Sequence, residues 1–411
     1  MPEFLELLPP EQALSLFLSQ LPAVPLPVEE VETQTALGRV AAQDILAPHP
    51  LPTFPRGTMD GYAVRARDTY GASEGLPAYL SLIGEVPMGS APPFALSAYQ
   101  AAPIHTGGML PQGADAVVML EDVQLTREGE IEVLRAAAVG ENTLRVGEDV
   151  REGQVVVRRG KLLRPADIGG LTGLGILRVP VAQRPHVGLI SSGDELVPPE
   201  RAPDLGQVRD INAYSLSALV EQSGGRATRY GIATDNWDDL KRLASAALQQ
   251  CDVVVITAGS SASTRDLTSG VIQELGSPGV LVHGVDVHPG KPTILAVSNG
   301  KAVIGLPGNP VSAMVIARLF LVPLIHRLLG LPERGFSPAI PATLTVNLAS
   351  RAGREDWIPV RLKEGEGELL AEPIFSKSNL IFSLAEADGL VKIPADATGL
   401  HTNEKVLVEL L

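Results

Sequence analysis

The sequence predicts a multidomain chain, with a parallel α/β sheet covered by helices on both faces at its centre and smaller β-rich units before and after it. Three observations carry that reading. At 411 residues the chain exceeds the roughly 250–300 residues at which a single hydrophobic core stops growing, so two or more domains are expected. From residue 184 to about 329, short apolar runs alternate with helical patterns, as in parallel strands joined by crossover helices. Residues 51–150 crowd Gly and Pro between short apolar runs, and after 339 the chain returns to short strands, both marks of turn-rich β structure.

In chain order, residues 11–20 place Leu14, Phe17 and Leu18, with Leu21 beyond, at helical spacing, and Pro22, Pro25 and Pro27 stop the helix. Within 51–150, Ala116–Leu120 and Ile131–Leu134 read as strands. Gln154–Val157 is a β-branched run, and Pro165–Leu174 is helix-like. In the central region His186–Ile190, Ala227–Ile232, Asp252–Thr257 and Ala302–Ile304 read as strands. Ser215–Gln222, Trp237–Leu248, Thr268–Leu275 and Val311–Leu329 read as the helices between them. Gly330–Pro338 is a stop, and Ala342–Asn347 and Lys405–Leu410 are strands of a final small β-domain without a strong helix.

Composition narrows the function. Apolar residues make up 45% and charged residues 19%, which suits packed cores and not a disordered chain. The net charge of −14, without a long basic run, argues against nucleic acid and anionic membrane surfaces as partners. A single cysteine, Cys251, allows no intrachain disulfide, Cys-rich zinc site or iron–sulfur cluster. The N-terminus lacks a signal-peptide pattern. The most apolar stretch, Leu319–Ile325, is interrupted by Pro323 and falls short of the roughly 18 residues of a membrane span. A soluble cytoplasmic protein is expected.

In an open α/β sheet, ligands bind beyond the carboxyl ends of the strands. The loops there are Ser191-Ser192-Gly193-Asp194-Glu195, Ala233-Thr234-Asp235-Asn236, residues 258–266, and Gly305 through Ser312. In the last, Pro307, Gly308 and Asn309 lead into a helix with Pro310 in its first turn, so free N–H groups and the helix dipole would face an anion. An ordinary capped helix start reads the same way. Gly259, Ser260 and Ser261 open a Ser/Gly loop that offers N–H groups and hydroxyls, or simply a turn. Asp194, Glu195, Asp235 and Asp266 would gather at one sheet edge if their strands are neighbours. A divalent cation such as Mg²⁺, shared with a phosphoryl group, would relieve their repulsion; solvated caps are the alternative. Lys291, fixed between Gly290 and Pro292, is a candidate oxyanion contact or a turn lysine. The seven histidines show no zinc-binding spacing.

Taken together, TMDGYAVRARD (58–68), HTGGMLPQGADAVVMLED (105–122), NTLRVGEDV (142–150), GLISSGDELV (188–197), VRDINAYSL (208–216), PGKPTI (289–294) and GLPGNPVSA (305–313) resemble the molybdopterin molybdenumtransferase family. The resemblance places Asp60, Thr106, Asp149, Glu195, Asp235, Asp266, Lys291, Ser312, Arg354 and Ser378 on positions of the family's active-site cleft. It implies a Rossmann-like pterin-binding domain at 183–330 joined by the N-terminal helix and linker (1–27), a connecting domain from 28–50 and 152–182, a small β-rich domain at 51–151 and a β-barrel at 337–411. It also implies adenylylated molybdopterin and molybdate as substrates, AMP as a product, Mg²⁺ held by Glu195, Asp235 and Asp266, and a homodimer whose cleft is shared between subunits. Other molybdenum cofactor biosynthesis proteins would be further partners. Two departures stand out. Gly259-Ser260-Ser261-Ala262-Ser263 replaces a Gly-Gly-Val-Ser type loop, and His288 stands where many members carry Lys or Arg, which exchanges a permanent cation for a mostly neutral group. A tungstate-inserting paralogue and a non-catalytic pterin-binding scaffold are the alternative functions.

Overall fold

The computed structural model describes residues 7–22, 27–127, 129–258, 262–332 and 338–411, without the side chains of 262–266. At its centre lies a six-stranded sheet in the order Arg226–Ala233, His186–Ser192, Val253–Ala258, Lys301–Pro307, Ile294–Ser298, Pro278–His283. Alternate residues of one strand point to opposite faces. Accordingly Val253 and Val255 enter one core with Phe17, Leu216 and Phe320, while Val254 and Ile256 enter another with Leu240 and Ile272. Helices therefore cover both faces, as the apolar runs imply.

The first four strands are parallel; Ile294–Ser298 runs antiparallel between Lys301–Pro307 and Pro278–His283, which corrects the expectation of a parallel sheet. The reason is local. Asn299 and Gly300 both adopt positive φ, 51° and 82°, and close a tight hairpin between Ile294–Ser298 and Lys301–Pro307.

Helix Pro310–Leu328 runs unbroken through Pro323, although the Ala317–Leu321 segment widens to a π-helix. Proline lacks the N–H and crowds the carbonyl four residues back, and a wider turn accommodates both. With 19 residues and a mean hydropathy of 1.7, this helix reaches the length and apolarity of a membrane span, contrary to the sequence expectation. Its apolarity serves the core here, since Val315, Ile316, Phe320, Leu321, Leu324 and Ile325 are all buried.

Helix Pro10–Ser19 buries Ala13 and Phe17 against the antiparallel edge of the sheet. Val28–Glu32 pairs with Arg178–Ala182, and Ile45–Leu46 with Val155–Val157, so the chain leaves and re-enters the same layer around the segment between them. That segment holds a second six-stranded sheet, ordered Ala116–Met119, Gly61–Val64, Gln100–Ile104, Ala78–Leu82, Glu130–Val133, Val123–Arg127. After 338, Glu355–Glu364, Leu369–Pro373, Ala339–Leu344, Lys405–Leu410 and Gly389–Ile393 pair in a closed ring of five strands, a small barrel. A short helix, Ile381–Ala385, is its one departure from the expected strands.

Candidate active site

The predicted site residues fall into two groups. The first lies in the 61–133 sheet. Gly61 sits between Ile104 and Met119, and a Cβ there would lie 2.0 Å from the Val118 carbonyl oxygen, so only glycine fits. Because Gly61 pairs with Ile104 in antiparallel register, Asp60 just before it meets His105 and Thr106 just beyond. The Thr106 N–H donates to Asp60 Oδ1 at 2.7 Å and its hydroxyl to the same oxygen at 3.0 Å. These bonds hold the exposed Asp60 carboxyl below its ordinary pKa, first through the backbone donor, with the nearby His105 adding to the effect. His105 also lies 3.6 Å from Glu85, a neighbour that sequence reasoning missed. Asp149 is exposed near the Leu51–Val150 pairing, and no hydrogen bond or ion pair joins it to Asp60.

The second group forms at the carboxyl ends of the parallel strands. Ser192 and Asp235 follow from neighbouring strands, and the Ser192 hydroxyl donates to Asp235 Oδ1 at 3.2 Å. Asp194 accepts from the Asp235 N–H at 3.0 Å. A Cβ at Gly193 would stand 2.6 Å from a Glu195 carboxylate oxygen, so the glycine lets Glu195 fold back over the loop. Burial raises the Asp235 pKa and the charges of Asp194 and Glu195 raise it further, against the lowering effect of Ser192. Of the four acids expected to gather, Asp194 is bonded to the Asp235 N–H and Glu195 lies near enough for its charge to act on Asp235. Among the described residues, however, no three acidic, histidine or cysteine side chains meet closely enough to hold a metal ion by themselves. Gly259, Ser260, Ser261 and the Asp266 side chain lie outside the described residues.

A cleft of about 670 Å³ opens beside this group, lined by Ser192, Glu195, Asp210, Asn212, Gly308 and Asn309 among others. Asn309 occupies the cap position of helix Pro310–Leu328, yet its side chain does not cap the helix; its amide donates to the Ser378 hydroxyl at 3.1 Å. The Ser378 carbonyl accepts from the Val311 N–H at 3.0 Å, so one first-turn donor is already used. This corrects the expected role of Asn309 and brings a barrel residue to the phosphate-type loop. Ser312 is buried within the same helix.

Lys291 is exposed in the loop after the short Val287–His288 strand, which pairs with Glu355–Asp356 of the barrel. Its neighbour Pro292 lines a small cavity with Ala258, Thr268 and Pro307, placing the lysine loop beside two strand ends. Arg354 approaches the buried Asp356 at 2.9 Å, and His288 stands 3.7 Å from the same carboxylate. Burial, and then the Arg354 charge, lower the His288 pKa, with Asp356 opposing.

Two residues of this region escaped sequence reasoning. Asp210, 6% exposed, accepts from Ser191 Oγ at 2.8 Å and from the Ala213 N–H at 3.2 Å, tying strand His186–Ser192 to the start of helix Asn212–Gln222. Asn212 donates to the Gly308 carbonyl at 2.8 Å and leaves its own Oδ1 buried without a partner. An Asp two residues ahead of a helix was the available signal.

Comparison with known proteins bears on all three parts of the chain. Residues 8–175 match the MoeA N-terminal region, domains I and II; residues 188–327 match a probable molybdopterin binding domain; residues 341–411 match the MoeA C-terminal region, domain IV. The molybdopterin molybdenumtransferase of Haemophilus influenzae is 32% identical over 97% of this chain and 97% of its own length. That of Bacillus subtilis is 32% identical over 93% of this chain and 90% of its own. The crystal structure of a molybdopterin biosynthesis MoeA protein from Pyrococcus horikoshii OT3 superposes with a TM-score of 0.86 at 32% identity, over 99% of this chain and 100% of that one. Matches spanning both sheets and the barrel, in one order and over nearly the whole length, make this chain a member of the MoeA family of molybdopterin molybdenumtransferases, in molybdenum cofactor biosynthesis.

Proposed function

We propose that the chain inserts molybdenum into adenylylated molybdopterin, consuming molybdate and releasing AMP, as a Mg²⁺-dependent cytoplasmic transferase. The observation that carries this reading is Glu195 on the wall of the cleft bounded by Gly308 and Asn309, with Asp235 joined to Ser192 of the same wall and to Asp194 through its own N–H. Burial, and to a lesser degree the charges of Asp194 and Glu195, already raise the proton affinity of Asp235, so the group gains from a cation. Two carboxylates with waters and a substrate phosphate suit Mg²⁺, which does not need three protein acids. Glu195 and Asp235 would hold it, with Asp266 as the third expected ligand. The ion would supply charge neutralisation and polarisation of the phosphoryl group linked to AMP.

The chain's own groups then divide the work. Gly308 and the helix start behind Asn309 bind the pterin phosphate end, and the unpartnered Asn212 Oδ1 accepts from a donor on the substrate. Gly259, Ser260 and Ser261 would add donors to the phosphate. Lys291 and Arg354 offset the charge of molybdate and of the departing AMP, and the Ser378 hydroxyl adds a hydrogen bond. Local cations are needed because the chain as a whole carries −14.

Asp60, Thr106 and Asp149 have no link to this cleft within one chain. Among the described residues, no hydrogen bond, ion pair or shared hydrophobic cluster joins residues 52–149 to residues 184–329. A homodimer that sets this segment of one subunit on the α/β region of the other would complete the site. The division into domains at 28–50 with 152–182, 51–151, 183–330 and 337–411 follows the same layout. The test incubates purified protein with adenylylated molybdopterin, Mg²⁺ and either molybdate or tungstate and follows AMP. Molybdate-dependent release is expected; release only with tungstate would reassign the oxyanion, and none with either would reject the enzymatic reading.

A further inference from the structure

Asp356 lies at the seam between the barrel and the α/β region, where Glu355–Asp356 pairs in parallel register with Val287–His288. It is 3% exposed, and a carboxylate buried so deeply is costly unless charged or polar partners surround it. The Ser350 hydroxyl donates to its Oδ2 at 2.8 Å and Arg354 Nη2 to the same oxygen at 3.3 Å. Arg354 Nε stands 2.9 Å from Oδ1, off the line of a hydrogen bond. His288 Nδ1, 3.7 Å from Oδ1, comes from the other side of the seam. Burial and then the Arg354 charge hold that imidazole below its ordinary pKa, so it is mainly neutral at pH 7. Among the described residues, Arg354 is therefore the permanent cation paired with Asp356.

The guanidinium is held along one edge only. Nε and Nη2 face Asp356, whereas Nη1 has no partner among the described residues and is not buried, in a side chain that keeps 34% of its exposure. A guanidinium is planar and rigid, so fixing one edge also fixes where the other points. We propose that Asp356 is a positioning residue for oxyanion binding, locking Arg354 so that its open Nη1 edge is presented beside the loop that runs from His288 to Lys291. The inference rests on the anion-binding role given to Arg354 above. An arginine free to swing loses side-chain entropy each time it takes hold of an anion, and one already locked does not. A carboxylate that served only to join two strands would need no cation with an open edge, since well-packed apolar residues join strands at least as well as a buried ion pair.

The experiment titrates the full-length protein with sodium molybdate by calorimetry and, in parallel, follows AMP release from adenylylated molybdopterin as molybdate is varied. Asp356→Asn, which keeps the shape and removes the charge, should weaken molybdate about tenfold, with the loss in turnover carried by KM for molybdate and not by kcat. Arg354→Ala should weaken molybdate at least as much, and adding Asp356→Asn to it should change the affinity no further. A further loss in the double variant, or a fall in kcat at unchanged KM, means that Asp356 acts through the barrel and not through Arg354, and overturns the proposal. Weakened binding in Arg354→Ala beside wild-type binding in Asp356→Asn overturns it and leaves Arg354 its role. Unchanged binding in both variants, or no molybdate binding by the wild type, removes that role and the proposal together. The calorimetric arm needs no turnover, so it decides even where no AMP is released. Should Asp356→Asn fail to fold, as judged by its thermal transition, Asp356→Glu, which keeps the charge and displaces it by one methylene, replaces it. Its loss of affinity should likewise vanish in the Arg354→Ala background, and a loss that persists there overturns the proposal.

Discussion

Asp60 and Asp235 are both acids of the candidate site, placed in opposite surroundings. Asp60 is exposed and receives two hydrogen bonds from Thr106, so its carboxylate is the favoured form. Asp235 is partly buried beside Asp194 and Glu195, so its carboxylate is disfavoured. The contrast separates two tasks. Asp60 is a finished anion needing no further partner, whereas Asp235 carries a cost that a cation relieves.

The largest effects should come from removing either acid. Asp60→Asn and Asp235→Asn are each expected to abolish molybdate-dependent AMP release, yet to move stability in opposite directions. Asp235→Asn relieves repulsion and should raise the thermal midpoint in metal-free buffer, by ~0.5 kcal/mol of stability, whereas Asp60→Asn trades an ionic acceptor for a neutral one and should lower it. Calorimetry on both variants checks the signs; equal shifts would erase the distinction. Mixing the two inactive chains after dissociation and reassociation should restore about one quarter of wild-type activity if the cleft is shared between subunits, because half of random dimers are mixed and each holds one intact site. No recovery with verified heterodimers would place the site within one chain.

The glycines beside these acids sharpen the comparison next. At Gly61 the added Cβ strikes backbone, so Gly61→Ala should cost about 3 kcal/mol or more in denaturant unfolding. At Gly193 it meets only the movable end of Glu195. Gly193→Ala should therefore spare most of the stability and lose activity by displacing that carboxylate. A Gly61→Ala protein as stable as wild type would show that the 61–133 sheet can shift to make room.

Smaller effects test the cations. Lys291→Ala should weaken binding of the anionic substrate by roughly 1–3 kcal/mol in a titration. Smallest is a pH effect at His288. Its folded pKa lies below the unfolded value near 6.5, so the unfolded chain binds more protons just below that pH. The associated stability is full above about 6.5 and is lost as pH falls through the folded value. In His288→Gln this component is absent. The thermal midpoint of wild type relative to the variant should therefore fall between pH 7.5 and 5.5, and a constant gap would remove the argument.

The strands and helices of the central region were legible because each strand is buried on both faces and each helix carries an apolar stripe. The antiparallel strand was not legible, although Asn299-Gly300 is a strong hairpin signal, because of its two flanking runs only Ala302–Ile304 reads as a strand and Ile294–Ser298 does not stand out. Pro323 misled by its ordinary meaning as a helix breaker, since a π-turn absorbs it. At the site, the loops around Asp194 and Asp235 were readable from their place at strand ends. Ser378 was not, because a contact made across 69 residues leaves no local pattern, and Arg354 was not, because it reaches the α/β region only through the pairing of the adjoining Glu355–Asp356 with Val287–His288; only the family resemblance pointed to them. The caps formed by Asp210 and the turned-away side chain of Asn309 depend on tertiary partners that spacing does not reveal.

Leu51 and Val150 pair in antiparallel register, and Ile45–Leu46 beneath them pairs with Val155–Val157. Everything between 52 and 149 therefore leaves and returns at one point, on a two-stranded stalk. A gene can gain, lose or exchange such a piece as a cassette, because joining the stalk ends across a short turn leaves the remaining strand pairings untouched. Asp60 accordingly reaches the rest of the chain through this stalk, and an excision of 52–149 would remove it together with Thr106 as one piece.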